Sequence, residues 1–131
     1  MKNTYLKKII AQSVEDLKII SACCSESITK IRDIKYLPKN KIFLLSIKRV
    51  EKEKQNKKLL NSIIRFEYVH SSRSKNIDQI HQDMEMELIS IDLFKKDKNF
   101  EITLLFSNNR IITLLVETIE VILEDQKSID D

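Results

Sequence analysis

The sequence predicts an α+β protein, with a mainly antiparallel curled sheet or partly open barrel of about six or seven strands and one N-terminal helix at 14–26. From residue 14, apolar side chains recur at the spacing of one helical face. From residue 28 onward they alternate with polar side chains, as in half-buried strands, and short polar turns separate the segments. With 131 residues, the chain is expected to form a single domain over 1–131.

The helix is predicted by its first turn and by one apolar face. Ser13 can serve as the N-cap, and Asp16 stands three residues later in the arrangement of a capping box. Glu15 and Asp16 also place negative charge at the positive end of the helix dipole. The residues at helical spacing on the apolar face are Val14, Leu17, Ile20 or Ser21, and Cys24.

The strand predictions follow the alternation of apolar and polar side chains. The predicted segments are 6–11, 28–37, 42–50, 59–70, 85–94, 100–106 and 112–116. Residues 38–41 predict a hairpin turn, because Pro38 holds φ at about −65° and Asn40 tolerates the left-handed conformation. The polar segment 71–83 is expected to be the longest loop.

Side-chain parity predicts which residues face the core. Ile64, Phe66 and Tyr68 are expected to point inward on one strand. On the strand at 85–94, Ile89, Ile91 and Leu93 alternate with Ser90 and Asp92. After Val116 the parity shifts, because the apolar pattern continues at Ile119, Val121 and Leu123. A β-bulge within one long strand explains this shift, and a short closing helix is the alternative.

The chain contains no glycine, and Pro38 is its single proline. Walker-type phosphate loops, dinucleotide-binding glycine motifs, nucleophile elbows and kinase glycine loops need glycine for positive φ or for close backbone approach to a ligand. These sites are therefore excluded in their standard form. Asparagine is expected to take the left-handed turn positions, so at least one of Asn76, Asn108 and Asn109 should have a positive φ.

Compartment and cofactors are indicated by the apolar runs and the cysteines. No apolar run approaches the roughly 18 residues of a membrane span, and the basic first ten residues contain no signal-peptide core. We therefore expect a cytoplasmic protein that does not insert into a membrane. Adjacent Cys23 and Cys24 favour two reduced thiols, at least one of them buried, and no C-x-x-C spacing indicates zinc. No metal and no cofactor are expected.

Charge is unevenly distributed along the chain. Residues 1–116 carry a net charge of +8, whereas residues 117–131 carry −5. The densest basic segment, 48–58, has a net charge of +4 and could form a phosphate-contacting loop on nucleic acid. A solvated hairpin loop is the favoured alternative, because two glutamates interrupt the segment and no aromatic residue is interleaved.

Catalytic arrangements receive little support. Cys23 or Cys24 could be a nucleophile with His70 or His81 as its base, but Cys24 lies on the helix face expected to be buried, where a thiol is inert. Paired carboxylates on one strand face are expected to form a solvated outer surface; they are Asp83, Glu85 and Glu87. No catalytic residue is assigned, and a function other than catalysis is favoured.

Three sequence blocks together resemble a known family. They read AQxxEDLxxISA, DIxYLPK and VExIExxLxD, and they cover Ala11–Ala22, Asp33–Lys39 and Val116–Asp125. In order and spacing they are similar to domain-of-unknown-function family 2948, a group of small alphaproteobacterial proteins. The resemblance implies a fold unit and a bacterial lineage, and it implies no mechanism. Relatives tend to have glycine at the turn held here by Asn108 and Asn109.

The candidate binding residues are Arg49, Arg65, Arg73 and Asp78. Arginine occurs five times against eighteen lysines, so a retained arginine suggests a planar, bidentate contact that lysine cannot make. Its partner is either an internal carboxylate or an external phosphate or carboxylate. Glu117 and Glu120 are expected as internal partners of Arg49 or Arg65 across the sheet.

Three functions remain as hypotheses. The first is a non-enzymatic interaction module that binds an unknown protein partner or itself. The second is a nucleic-acid-binding protein that uses the basic 48–58 loop with Arg65 and Arg73. The third is a small ligand-binding barrel, or an enzyme of unknown reaction, that uses Arg49 and Asp78 near a barrel mouth.

Overall fold

A computed structural model describes residues 6–50 and 59–126 of the chain. The basic segment 51–58 therefore lies outside the described residues, and with it most of the predicted phosphate-contacting loop. The described residues form ten strands and one α-helix, α1, at Val14–Cys24. The strands are β1 Lys8–Ala11, β2 Ile28–Lys30, β3 Ile34–Leu37, β4 Ile42–Val50, β5 Leu59–Phe66, β6 Val69–Lys75, β7 Glu85–Lys96, β8 Asn99–Phe106, β9 Arg110–Val116 and β10 Val121–Asp125.

Within 6–50 and 59–126, the strands form one antiparallel sheet whose two end strands are not hydrogen-bonded to each other. Its order is β1-β10-β5-β4-β2-β7-β8-β9-β6, and β3 pairs with β4 beside this path. The predicted combination of one helix with a curled antiparallel sheet is confirmed, but the predicted number of six or seven strands is wrong. Three predicted strands each divide into two. The dividing segments are the 3₁₀ turn Ile31–Asp33 and the corners at 67–68 and 117–120.

Two corners fold the sheet upon itself. The chain passes from β5 to β6 through Glu67 and Tyr68, and from β9 to β10 through 117–120. The corners lie side by side, since Glu67 N–H donates to the Glu120 carbonyl at 2.9 Å and Glu117 N–H donates to the Tyr68 carbonyl at 3.0 Å. Because β5 pairs with β10 while β6 pairs with β9, this double corner curls the sheet around one core.

The corners also change which side chains face inward. Tyr68 has a φ of 58° and is exposed, whereas Val69 is fully buried, so the predicted inward position of Tyr68 is wrong. The parity shift after Val116 is real, but its cause is a break between β9 and β10. Neither the predicted bulge nor the alternative helix is present, because the corner needs irregular backbone to redirect the chain.

A bulge does occur in β7. The register with β8 shifts between Leu88 and Ser90, and Ile89 is exposed although the alternation places it on the same face as Ile91. Ile91 is buried, and its N–H donates to the Ser21 hydroxyl of α1 at 3.0 Å. A β-bulge disrupts the ladder locally, so the helix supplies the partner for this backbone group.

The helix packs against the sheet and contributes Leu17, Ile20 and Cys24 to the core. Its predicted N-cap is confirmed, since Ser13 Oγ accepts from Asp16 N–H at 3.2 Å. The core below it contains an edge-to-face contact between Phe43 and Phe66, whose ring centroids lie 5.9 Å apart. Such aromatic pairs contribute about 0.5–1.5 kcal/mol beyond their burial.

Asparagine takes left-handed turn positions as predicted. Asn76, Asn108 and Asn109 all have positive φ, at 63°, 60° and 58°. The side-chain amide of Asn76 also donates to the Asn109 carbonyl at 2.8 Å, which ties two turns together. In the turn after Pro38, however, Lys41 has the positive φ and Asn40 does not. Local side-chain preference is outweighed there because Lys41 N–H bonds the Pro38 carbonyl.

The predicted loop 71–83 begins later than expected. β6 continues to Lys75 by pairing with β9, although its sequence has no apolar alternation after Val69. Main-chain hydrogen bonds to a neighbouring strand do not require apolar side chains, so this polar edge strand is not visible to a periodicity argument.

Candidate functional site

The inner face of three neighbouring strands holds a buried ion pair. Arg49 on β4 and Asp125 on β10 reach each other across β5, where Ser62 lies directly opposite Asp125. Arg49 is 3% exposed and Asp125 is 4% exposed. The guanidinium contacts both carboxylate oxygens, with Nε 2.9 Å from Oδ1 and Nη2 2.6 Å from Oδ2. This is the planar, bidentate geometry that lysine cannot reproduce.

The Asp125 carboxylate has two donors on each oxygen. Oδ1 accepts from the Ser62 hydroxyl at 2.6 Å as well as from Arg49, and Oδ2 accepts from Lys7 N–H at 2.9 Å as well as from Arg49. An ionised carboxylate offers about four lone-pair positions, so all of them are used. Asp125 therefore has no acceptor position left for a ligand, and the cluster joins β4, β5 and β10 to the residue that precedes β1.

Mutual interaction keeps both groups charged. Burial by itself would raise the pKa of Asp125, but the hydrogen bonds from Arg49, Ser62 and Lys7 and the arginine charge lower it below its usual value. Burial would lower the pKa of Arg49, but Asp125 raises it above its usual value, with smaller contributions from Cys24 and Cys23. The pair is therefore fully ionised at neutral pH.

The other predicted binding arginines have carboxylate neighbours of their own. Arg65 projects from the outer face of β5, and its Nε lies 3.2 Å from Glu67 Oε2. Arg73 projects from β6, and its Nη2 lies 3.3 Å from Glu101 Oε1. The structure thus distributes Arg49, Arg65 and Arg73 over the inner face, the outer face and an edge strand, and it does not bring them together.

Asp78 lies in the exposed loop between β6 and β7. Its Oδ1 accepts from Ile80 N–H at 3.0 Å, and its Oδ2 lies 3.8 Å from His81 Nε2. These short-range contacts order the loop locally. Asp78 and Arg49 therefore occupy different environments, one exposed on a loop and the other buried beneath the sheet.

The carboxylates that pair with Arg49 and Arg65 are not the expected Glu117 and Glu120. Arg49 pairs with Asp125 and Arg65 pairs with Glu67, whereas Glu120 accepts a hydrogen bond from the Gln12 side chain at 3.3 Å. Asp125 could have been found from parity, because it continues the buried series of Val121 and Leu123. Ser62 continues the corresponding buried series of Leu60, Ile64 and Phe66.

A groove of about 400 Å³ opens where β2 and β4 separate. These strands share a single pair, Ile28 with Lys48, after which the Thr29 hydroxyl bridges to the Ser46 carbonyl at 2.7 Å. The charged residues that line the groove are Lys30, Arg32, Asp33, Lys48 and Glu85. Arg32 also forms an ion pair with Asp83, so the groove is only weakly positive.

A smaller cavity of about 240 Å³ lies between β3 and β6. Tyr36, Phe43 and Ile112 supply apolar walls, and the hydroxyls of Ser72 and Ser74 supply polar groups. Neither Arg49 nor Asp78 lines this cavity. This cavity is therefore not the barrel-mouth site that the sequence predicts for Arg49 and Asp78.

The comparison with protein families gives a clear result. The model of a family described as a protein of unknown function, DUF2948, matches residues 7–130. The chain belongs to the DUF2948 family. Searches of curated proteins and of solved structures gave no match. In this DUF2948 member the third sequence block, Val116–Asp125, includes the second corner and ends at the buried carboxylate, so that block specifies a structural feature.

The outer face of the same DUF2948 sheet is apolar near its β1 edge. Ile10 on β1 is 52% exposed and lies directly opposite Ile122 on β10. On the next strand, β5, Arg65 lies opposite Ile122, and on β4 Leu44 lies opposite Arg65. These four residues therefore form one row across the sheet. Leu6, just before β1, is also exposed. We refer to Leu6, Ile10 and Ile122 as the edge patch.

Two further observations concern 6–50 and 59–126 alone. Within these ranges, no group of three or more His, Cys, Asp or Glu residues is arranged to hold a metal ion. The helix of the described chain is too short and too polar to cross a lipid bilayer.

Proposed function

We propose that this DUF2948 protein is a non-enzymatic interaction module that binds a protein partner or a second copy of itself in a bacterial cytoplasm. The bacterial setting follows from the family resemblance, and Cys23 and Cys24, which form no disulfide in the described part of the chain, suit a reducing compartment. The edge patch carries the proposal. Exposed aliphatic side chains there lie beside a sheet edge, where a partner can add main-chain hydrogen bonds to apolar contact.

The position of the charged groups supports the same proposal. Arg49 contacts Asp125 and Ser62 inside the core, and it joins β4 to β5 and to β10, which carries Ile122 of the edge patch. Arg65 lies within the apolar row and keeps its guanidinium half-exposed, at 49% of the side chain. Arginine flanked by aliphatic residues is a composition typical of protein interfaces.

Affinity capture from cells under native conditions tests this proposal, combined with size-exclusion chromatography and light scattering of the purified protein. The bait is compared with an Ile10→Lys variant, which changes the edge patch, and with an Ile80→Lys variant on the loop after β6. We expect a partner or a self-association that Ile10→Lys weakens and Ile80→Lys leaves unchanged. A strictly monomeric protein with no reproducible partner would contradict the proposal.

Nucleic-acid binding is the second candidate, and one observation favours it. Lys30, Arg32 and Lys48 come from three chain segments and line the same groove, next to the start of the basic 48–58 segment. Phosphate contacts by such residues would make binding fall steeply with salt. Labelled RNA and DNA should then bind at low salt in an electrophoretic mobility-shift assay. The double variant Lys30→Glu with Lys48→Glu should abolish the mobility shift. Absence of any shift at low salt would exclude this function.

A further inference from the structure

We propose that β1 pairs antiparallel with β1 of a second copy, across a two-fold axis at Ile10, and so extends the sheet into a homodimer. This inference rests on the proposed function and names its partner and its surface. Three observations support it: which residues of β1 bond to β10, which side chains form the edge patch, and which charges lie beside that patch.

Only every second residue of β1 points its main-chain groups toward β10, so the others are available to a new strand. Asp125 N–H donates to the Lys7 carbonyl at 2.9 Å, so Lys7, Ile9 and Ala11 are the positions that bond to β10 in the antiparallel ladder. The N–H and C=O groups of Lys8 and Ile10 therefore point away from β10. Among the described residues β10 is the only strand paired with β1, so these groups form an open sheet edge.

The side chains of β1 select a register for self-pairing. Only registers that oppose even-numbered residues use the open groups, and within β1 the two-fold axis can then lie at residue 8, 9, 10 or 11. An axis at Ala11 opposes Ile10 to Gln12, which separates the two isoleucines. An axis at Lys8 opposes two ammonium groups, and an axis at Ile9 opposes Lys8 to Ile10. An axis at Ile10 opposes the two exposed isoleucines and places Ile122 of each copy beside them. Apolar cross-strand pairs stabilise a sheet, whereas opposed like charges destabilise it.

Charge complementarity favours the same register. With the axis at Ile10, Lys8 of one copy lies opposite Gln12 of the second copy. Gln12 donates from Nε2 to Glu120 Oε1 at 3.3 Å, so this position brings a carboxylate near the ammonium group. Lys8 already lies 3.5 Å from Glu124 of its own chain. Each Lys8 would then lie between two carboxylates from different copies, and no like charges would be opposed.

The other edge of the sheet has the opposite character. β6 presents polar and basic side chains along its length, including Arg73 and Lys75, and its outward positions carry no aliphatic residue after Val69. Basic and polar side chains protect edge strands against pairing with another chain. β1 has one lysine in four residues, and Glu124 partly neutralises it. Of the two strands at the ends of the sheet order, β1 is therefore the one suited to pairing.

The size of the contact predicts a weak dimer. β1 has four residues, so edge pairing and the edge patch bury less than the roughly 1,200 Å² of a stable interface. Such contacts have dissociation constants of about a micromolar or weaker, and the dimer should form and dissociate with concentration. A tight, obligate dimer is not expected.

Sedimentation velocity of the full chain from about 1 to about 500 µM tests the dimer, since that range brackets a weak dissociation constant. The wild type should show a sedimentation coefficient that rises with concentration. Ile10→Lys opposes two ammonium groups at the axis and should raise the dissociation constant at least about tenfold. Ile80→Lys is the matched control, because Ile80 is an isoleucine with 83% exposure on a distant loop, and it should behave as the wild type. Circular dichroism confirms that each variant is folded.

Disulfide trapping tests the register independently of folding stability. Opposed residues in an antiparallel pair have Cα atoms about 4.5–5.5 Å apart, within the range of a disulfide. Ile10→Cys should therefore cross-link to a covalent dimer on mild oxidation, at a yield well above that of the wild type with its native cysteines. Lys8→Cys should not, because residue 8 lies four positions from residue 8 of the second copy.

The outcomes separate this inference from the proposed function. A wild type that stays monomeric throughout the concentration range, or an Ile10→Lys variant that dimerises like the wild type, overturns the β1 dimer. An Ile10→Cys variant that cross-links no better than Lys8→Cys overturns it as well. If a monomeric protein still captures a different partner through an Ile10-dependent contact, the interaction module stands and the dimer fails. If it captures none, both fail.

Discussion

Arg49 and Arg65 lie on neighbouring strands of the same sheet, yet their surroundings have little in common. Arg49 faces inward, is 3% exposed and makes a bidentate contact with Asp125. Arg65 faces outward, is 49% exposed at its side chain and makes one contact with Glu67. Both arginines were candidates for ligand binding on the same sequence argument. The difference shows that the face of a strand decides whether an arginine holds the fold or remains at the surface.

The cost of removing an ion-pair partner should also differ between Arg49 and Arg65. An inward charge has lost its water and depends on its partner, so removal of either partner leaves an uncompensated buried charge. An outward charge is solvated with or without its partner, and its ion pair contributes little. Four measurements, from the largest expected effect to the smallest, test this contrast between the two faces.

Asp125→Asn should have the largest effect. The variant keeps the shape of the side chain but leaves Arg49 charged and buried without its counter-ion. We expect the free energy of unfolding to fall by about 3–5 kcal/mol, as measured by urea denaturation. The double variant Arg49→Met with Asp125→Leu should recover most of this loss, because it removes both charges. A double variant as unstable as Asp125→Asn would contradict this account.

Acidification should remove the same charge without a mutation. Because the pKa of Asp125 is lower in the folded state than in the unfolded state, the stabilisation that its charge provides is complete above the unfolded pKa of about 3.8. This stabilisation is lost as the pH falls from the unfolded pKa to the lower pKa of Asp125 in the folded protein. The unfolding free energies of wild type and Asp125→Asn should therefore converge as pH falls from about 4. A gap that stayed constant with pH would argue against an ionised Asp125.

Ser62→Ala should have an intermediate effect. Its hydroxyl donates to Asp125 Oδ1 at 2.6 Å and accepts from Arg49 Nε at 3.2 Å, both inside the core. A hydrogen bond to a charged group contributes about 1.5–3 kcal/mol, and we expect a loss in that range. Asn61→Ala, one residue earlier on the exposed face of β5, is the matched control and should change stability much less.

Arg65→Leu should have the smallest effect. Exposed ion pairs are worth about 0–1 kcal/mol, so the free energy of unfolding should change by less than about 1 kcal/mol. The same substitution at Arg49, with Asp125 unchanged, should be several times more damaging in the same urea titration. Equal effects of the two substitutions would remove the distinction between the faces.

Much of the fold could be predicted because local chemistry determines it. The helix began at its predicted residue, since Ser13 caps Asp16 N–H, and β4 occupies the predicted range 42–50. The asparagine turns were predicted from the conformational tolerance of one residue type. By contrast, the continuation of β6 over residues 71–75 is not predicted, because its pairing uses main-chain groups alone. The bulge in β7 is not predicted either, and it separates Ile89 from the buried face of Ile91.

The candidate site was predictable only in part. Arg49 was selected as an arginine with a specific partner, but its partner lies 76 residues away, and the choice depends on which strands become neighbours. The alternating pattern of β10 indicates a half-buried strand and does not specify a neighbouring strand. Its pairing with β5 places Asp125 beside Ser62 and within reach of Arg49, and no spacing in the chain encodes that register.

The amino-acid sequence by itself determined the helix, most strand segments, the turn residues and the absence of glycine-dependent sites. These properties depend on side-chain periodicity and backbone preference over a few residues. The tertiary structure alone decided the strand order, the double corner, the Arg49–Asp125 pair and the apolar character of the β1 edge. Those features arise where distant segments meet, because burial and open hydrogen-bonding groups are properties of the assembled sheet.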